Sequence, residues 1–255
     1  MLRKTLAEKR VGLTSEISWR GHDILRIEAL TDVAFGFALT LLVVAAEVPP
    51  TFNALVGTLV HFPAFVLSFS ILLALWHAHY QFFRRFGMED GFVFFINSIF
   101  LFVVLFYAYP LKFLFTLNVD ALLDLLGGGL LTESRVPAPI APGQEPLLMT
   151  FYGAGLIAAA ACFVLLYHHA LRHATILALS PAETVAVRTE IAQGVGRIVV
   201  AALSILVAWI TRDAAISGLV YLAYPFIGRL GNRWQRAQLA RLAACEPLAS
   251  SSQVS

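Results

Sequence analysis

The residues able to do chemistry sit where a bilayer would make them costly. Arg26, Glu28 and Asp32 open the stretch RIEALTDVAFGFALTLLVVAAEVPP, and the helix length from Asp32 to Glu47 is only about 21 Å. A hydrocarbon core is about 30 Å thick, so at least one of these carboxylates must stand beside protein or water. Ionised groups at membrane depth line ion or proton pathways or pair with polar partners. Arg26 and Asp32 lie about 240° apart around one helix and cannot satisfy each other, whereas Glu28 and Asp32, at i and i+4, share a face and repel if both are charged. Asp32 therefore needs a partner from another element, and Trp76, His79, Asn97 and Arg197 are the candidates.

The histidines suggest a metal. His169 and His173 stand at i and i+4 with His168 beside them in YHHALRH, but no HExxH pattern or nearby cysteine completes a site, which favours a solvated or interfacial cluster. His77 and His79, at i and i+2, do not face each other, and His22 and His61 are isolated. No P-loop, nucleophile elbow or dinucleotide fingerprint is present, and GRLGNR follows no strand. These absences argue against an enzyme. The TVGYG sequence of carbonyl-lined potassium filters is missing as well. Of the two cysteines, Cys162 is a small packing residue and Cys245 falls in the tail; topology keeps them from pairing.

The elements that must position these residues follow from composition. The chain of 255 residues is 59% hydrophobic and 13% charged, against about 45 to 50% and 25% in soluble domains, and its mean hydropathy is +0.78. Lipid must take part of this apolar surface. Six runs can each cross a bilayer, at 26–48, 54–77, 91–111, 147–169, 189–211 and 214–231, which predicts an all-α membrane protein. All the Lys and Arg residues except Lys112, Arg135 and Arg212 fall in the leader, the 2/3 loop, the 4/5 connection or the tail, so both termini are expected in the cytoplasm. The net charge of +2 is explained by that asymmetry and by anionic lipid, and gives no case for nucleic acid. Residues 1–19 read as a cytoplasmic leader without a cleavable signal, 20–235 as the membrane domain, and 236–255 as a cytoplasmic tail with a disordered end. The loop 112–146, with its Gly cluster and prolines, is expected outside the membrane, with a short interfacial helix from NVDALLDLL.

Between Asp32 and Glu47 the first span has small or apolar residues, with Thr40 as the only side-chain hydroxyl. Phe37, Thr40, Leu41 and Val44 fall on one helical stripe. It could line a pore with apolar constrictions; it could equally be a helix contact, with the Thr40 hydroxyl bonded to the carbonyl four residues back.

These residues resemble the prokaryotic relatives of the lysosomal potassium channel called transmembrane protein 175. The family opens its first helix on R-x-x-x-F-S-D and ends it near V-P; here Arg26, Leu30, Thr31 and Asp32 take those positions, with Phe35 as the following aromatic, Thr40 as the threonine and Val48-Pro49 at the end. The W-x-x-H of the second helix is matched by Trp76 and His79, and the Asn of the third by Asn97 in INSIFLF. The resemblance implies a homotetramer in the bacterial plasma membrane, passing potassium ions without a cofactor, with the first helix of each chain lining the pore. It implies that Phe37 forms the narrow ring, Thr40 the layer preferring potassium and Val44 the next ring, and that Arg26, Thr31, Asp32, Trp76, His79 and Asn97 hold the helix in place. Two positions depart from the pattern: Leu30 replaces the aromatic of F-S-D, and Phe37 replaces Ile or Leu, which reshapes the constriction. The competing reading is a proton-coupled carrier using Asp32 and the membrane histidines as a relay.

Overall fold

A hydrocarbon solvent offers backbone groups no partner, so spanning segments must close their own hydrogen bonds as helices or barrels. The computed structural model describes residues 24–44, 50–127, 140–141 and 143–251, and all regular structure among them is helical. The elements are α1 Arg26–Val44, α2 Phe52–Val60, α3 Phe62–Phe86, α4 Gly91–Gly127, α5 Glu145–Arg172, α6 Pro181–Thr211, α7 Ala214–Leu219, a 3₁₀ turn Val220–Ala223 and α8 Tyr224–Ser251. Among the described residues six stretches are long and apolar enough to cross a membrane: Arg26–Val44, Phe62–Phe86, Gly91–Ala108, Glu145–Arg172, Pro181–Thr211 and Ala214–Leu242. The protein is a multi-pass membrane protein.

The expected second span, 54–77, is broken at His61 and continues to Phe86. Pro63 explains the break: it has no N–H to give to a preceding turn but suits the first turn of a helix. Arg84 and Arg85, expected in a loop, lie in the last turn of α3, where the helix dipole favours cations. The expected loop at 112–146 is corrected in its first part, because α4 runs through Pro110 as far as Gly127. Pro110 removes one backbone bond, but the residues from Leu111 to Leu126 include no further Gly or Pro, and the helix propagates until the glycines. The tail expected from Arg236 begins as helix, since α8 extends to Ser251. The leader, the Val48-Pro49 end of the first span, Glu47 and the VPAP part of the loop lie outside the described residues.

Two compact units emerge from the packing. One gathers the described residues of Phe82–Ile96 and Gly143–Ser255, the other those of Ile24–Gln81 and Asn97–Pro142. In the first, α6 starts on a capping box: Ser180 accepts from Glu183 N–H at 3.1 Å and the Glu183 carboxylate accepts from Ser180 N–H at 2.8 Å. Apolar contact gains little in lipid, so helices there are held by close approach through small residues. A Cβ on Gly194 would lie 2.5 Å from Val164 Cγ2, and one on Gly153 would lie 2.7 Å from Ile205. Arg85 joins this unit through Glu190, 3.4 Å away, and the Tyr167 hydroxyl, while Phe82 and Phe86 meet the Tyr167 ring edge to face.

Gly194→Val should separate α5 from α6. The expected cost is about 1–3 kcal/mol, seen as a lower thermal unfolding midpoint in detergent; an unchanged midpoint would show that the contact is not close-packed.

Candidate functional site

The second unit presents α1 with two unlike faces. Ile27, Glu28, Thr31, Phe35, Ala38 and Leu42 are buried. On the opposite side Val33 is 71% exposed, Phe37 58% and Val44 70%, Thr40 is exposed, and Gly36 has nothing within 4 Å of where a Cβ would stand. The predicted stripe is therefore rotated slightly. Val33 joins Phe37, Thr40 and Val44, and Leu41 is half-buried at the flank. Helical periodicity admits either neighbour; the buried ridge at Thr31, Phe35, Ala38 and Leu42 decides between them. The Thr40 hydroxyl donates to the Gly36 carbonyl at 2.8 Å, so its proton is spent within its own turn while its oxygen still faces outward.

What fixes the rotation is a polar bridge across three helices. Asn97 of α4, buried, donates from Nδ2 to Thr31 Oγ1 of α1 at 3.0 Å, and Thr31 donates onward to Ile27 O at 2.8 Å. The Asn97 Oδ1 lies 2.7 Å from His79 Nε2 of α3. An amide oxygen only accepts, so His79 carries its proton on Nε2 and donates. The imidazole is stacked on Phe100, 5.7 Å between centroids and 4° from parallel, and Phe100 meets Phe35 of α1 at 6.0 Å. Nearer the solvent, Trp76 Nε1–H donates to Asp32 Oδ1 at 2.7 Å, and Trp76 is stacked on Tyr80.

Five of the six residues expected to hold α1, namely Thr31, Asp32, Trp76, His79 and Asn97, thus come together. Arg26 does not: it is exposed and makes no hydrogen bond or ion pair to another described residue. Glu28 and Asp32, one turn apart, stand in different surroundings. Glu28 is buried and accepts from Leu25 N–H at 3.3 Å, using the positive end of the helix, whereas Asp32 is exposed and bound to Trp76. Arg197, the fourth candidate named for Asp32, belongs to the other unit and donates there to Gln193. Sequence reasoning named Glu28 without its burial and missed Phe100. Phe100 was legible as the residue one turn beyond Asn97, on the same face.

The histidine cluster has a different use. His169 Nε2 is 2.8 Å from Asp90 Oδ2, its ring is stacked on Phe92 at 4.5 Å, and His173 Nδ1 bonds the His169 carbonyl; His168 is exposed. Among the described residues no three His, Cys, Asp or Glu side chains converge to hold a metal ion. Asp90 caps α4, accepting from Phe92 N–H at 2.9 Å and Val93 N–H at 3.0 Å. Partial burial opposes ionisation of Asp90, but the bonds from His169, Val93 and Phe92 and the nearby imidazole outweigh it and hold the carboxyl below its usual range.

An all-helical, multi-pass membrane protein whose first span is fastened on one face and open on the other is the class these features define. Residues 26–107 match the family described as the endosomal/lysosomal potassium channel TMEM175. A protein of Marivirga tractuosa named as a potassium channel is 32% identical over 244 residues, which span 91% of this chain and 97% of that one. A second named potassium channel, from Chamaesiphon minutus, is 31% identical over 93 residues, 33% of this chain and 46% of its own. A crystal structure of a variant of the potassium channel MtTMEM175, in complex with a Nanobody-MBP fusion protein, superposes with a TM-score of 0.77 at 30% identity, covering 88% of this chain and 98% of that one. The chain belongs to the TMEM175 family.

Asn97→Leu should leave both Thr31 and His79 without their amide partner, a loss of about 1–3 kcal/mol for buried groups, and should lower the unfolding midpoint more than Trp76→Phe does at the exposed end. Equal effects would remove Asn97 from its central place. Because the Asp90 carboxyl is lowered in the folded chain, its contribution is present above the pKa of an unfolded aspartate and is lost as pH falls through the folded value. An Asp90→Asn variant should accordingly lose part of the acid-side fall in stability, read from thermal unfolding across an acidic pH series.

Proposed function

We propose that this chain forms a potassium-permeable, passive cation channel in the bacterial inner membrane, with both termini in the cytoplasm and four copies surrounding one path. The observation that carries this reading is the outward face of α1: Val33, Phe37, Thr40 and Val44 are left uncovered, while the polar bridge through Asn97 locks the opposite face. The names of the relatives support the choice of ion. Around a central axis the Phe37 rings form the narrow apolar constriction, which conducts only when it wets. One turn further on, the Thr40 oxygens form a polar layer. With each hydroxyl proton given to Gly36, outward lone pairs replace part of the water shell of a potassium ion. The channel needs no cofactor and performs no catalysis. A proton relay is less well supported, because Asp32 is bonded to Trp76, which does not titrate, and the buried bridge links His79 to Asn97.

In liposomes with a potassium gradient, the purified chain should carry electrogenic potassium flux and have the mass of four chains in detergent. Thr40→Val should reduce the preference for potassium over sodium, and Phe37→Ala should raise total flux severalfold while leaving the oligomer intact. A tetramer inert to potassium under varied voltage and pH, or uphill transport coupled to a proton gradient, would overturn the reading.

A further inference from the structure

We infer that the outward face of α8 binds the headgroup of an anionic phospholipid at the end of the sixth span. The inward face is already used. Gly231 lies against the Gln193 side chain, Gln193 donates to Asn232 at 3.3 Å, and Gln235 is buried. On the far side of the helix, Arg229, Arg233 and Arg236 follow at i, i+4 and i+7, all exposed, within about 11 Å of helix. Beside them Phe226, Leu230 and Trp234, at i, i+4 and i+8, form an exposed ridge, and the Arg229 guanidinium stands 5.8 Å from the centre of the Phe226 ring.

None of the three arginines makes a hydrogen bond or ion pair to another described residue, and the only acid in α8 is Glu246, beyond the row. Like charges one turn apart repel. A solvent that suits the ridge excludes the arginines, and water suits the arginines but not the ridge. Both are met together at the level of the lipid phosphates, where Trp is at home and long basic side chains reach the headgroups while their stems stay in hydrocarbon. Guanidinium also binds phosphate oxygens two at a time. A second copy meeting this face with its own is the poorer occupant, because that would set one arginine row against another without an acid between them, and a contact with a different face of a neighbour in a ring is separated from lipid by the oligomeric mass in the test below. The excess of basic residues at this end of the span places the site at the cytoplasmic leaflet.

Native mass spectrometry of the detergent-purified full chain, titrated separately with phosphatidylglycerol and phosphatidylcholine, tests the site. The wild type should retain phosphatidylglycerol preferentially, and higher salt should weaken the preference. The triple variant R229Q/R233Q/R236Q should lose it, by on the order of 100-fold if all three side chains reach the phosphate. The charge-matched control R172Q/R188Q/R212Q, at exposed arginines elsewhere, should keep it. Three results would overturn the proposal: no preference in the wild type, equal loss in both triple variants, or a change of oligomeric mass in the R229Q/R233Q/R236Q chain, which would make the face a contact between copies. The wild-type salt series stands even if the variant does not fold.

Discussion

A polar side chain inside a hydrocarbon medium must be answered by another, and the Asn97 amide is answered at both ends. Its nitrogen reaches Thr31 and its oxygen reaches His79, so one residue of α4 sets the height and rotation of α1 and α3 together. Such bonds average only about 0.6 kcal/mol each in membrane proteins. Their effect is therefore less to hold the helices together than to select one rotation among several that apolar packing would accept. Stacking of His79 on Phe100, and the tilted contact of Phe100 with Phe35, adds shape to the same selection.

The other unit is organised by the opposite means. At Gly153 and Gly194 the helices meet because there is no side chain to prevent it, and polar contacts such as Arg85 with Glu190 lie nearer the ends. Close approach through glycine fixes distance well. A hydrogen-bonded amide fixes direction. In the proposed channel the exposed face of α1 has to point along the axis, which the second device serves better, and α1 is the helix that has it.

Much of this was legible in the sequence, and the failures have physical causes. Composition and run length predict six spans because a bilayer imposes a length on each. His79 and Asn97 could be picked out because they are polar inside spans and Asp32 needed a partner, whereas Thr31 entered only through the family motif and the bond between it and Asn97 was not foreseen. Helix ends were read less well. Pro63 and Pro110 are the same residue type and both are followed by helix-forming residues, yet one helix ends just before the first and another runs through the second, so residue type alone does not place a helix end. Charges near the mouth of α1 misled for a related reason. Arg26 and Glu28 differ in whether the helix N-terminus can use them, and that terminus rewards only the carboxylate.

The bond from Thr40 to Gly36 settles which way a hydroxyl dipole points. A free hydroxyl can turn either end toward a passing ion and so serves cations and anions alike. At Thr40 the hydrogen is turned back into the helix, so along the proposed axis the layer presents only the negative ends of its dipoles. Chloride would find no donor there, although the layer carries no net charge. Being neutral, the layer also keeps this polarity at any pH at which the helix stays folded.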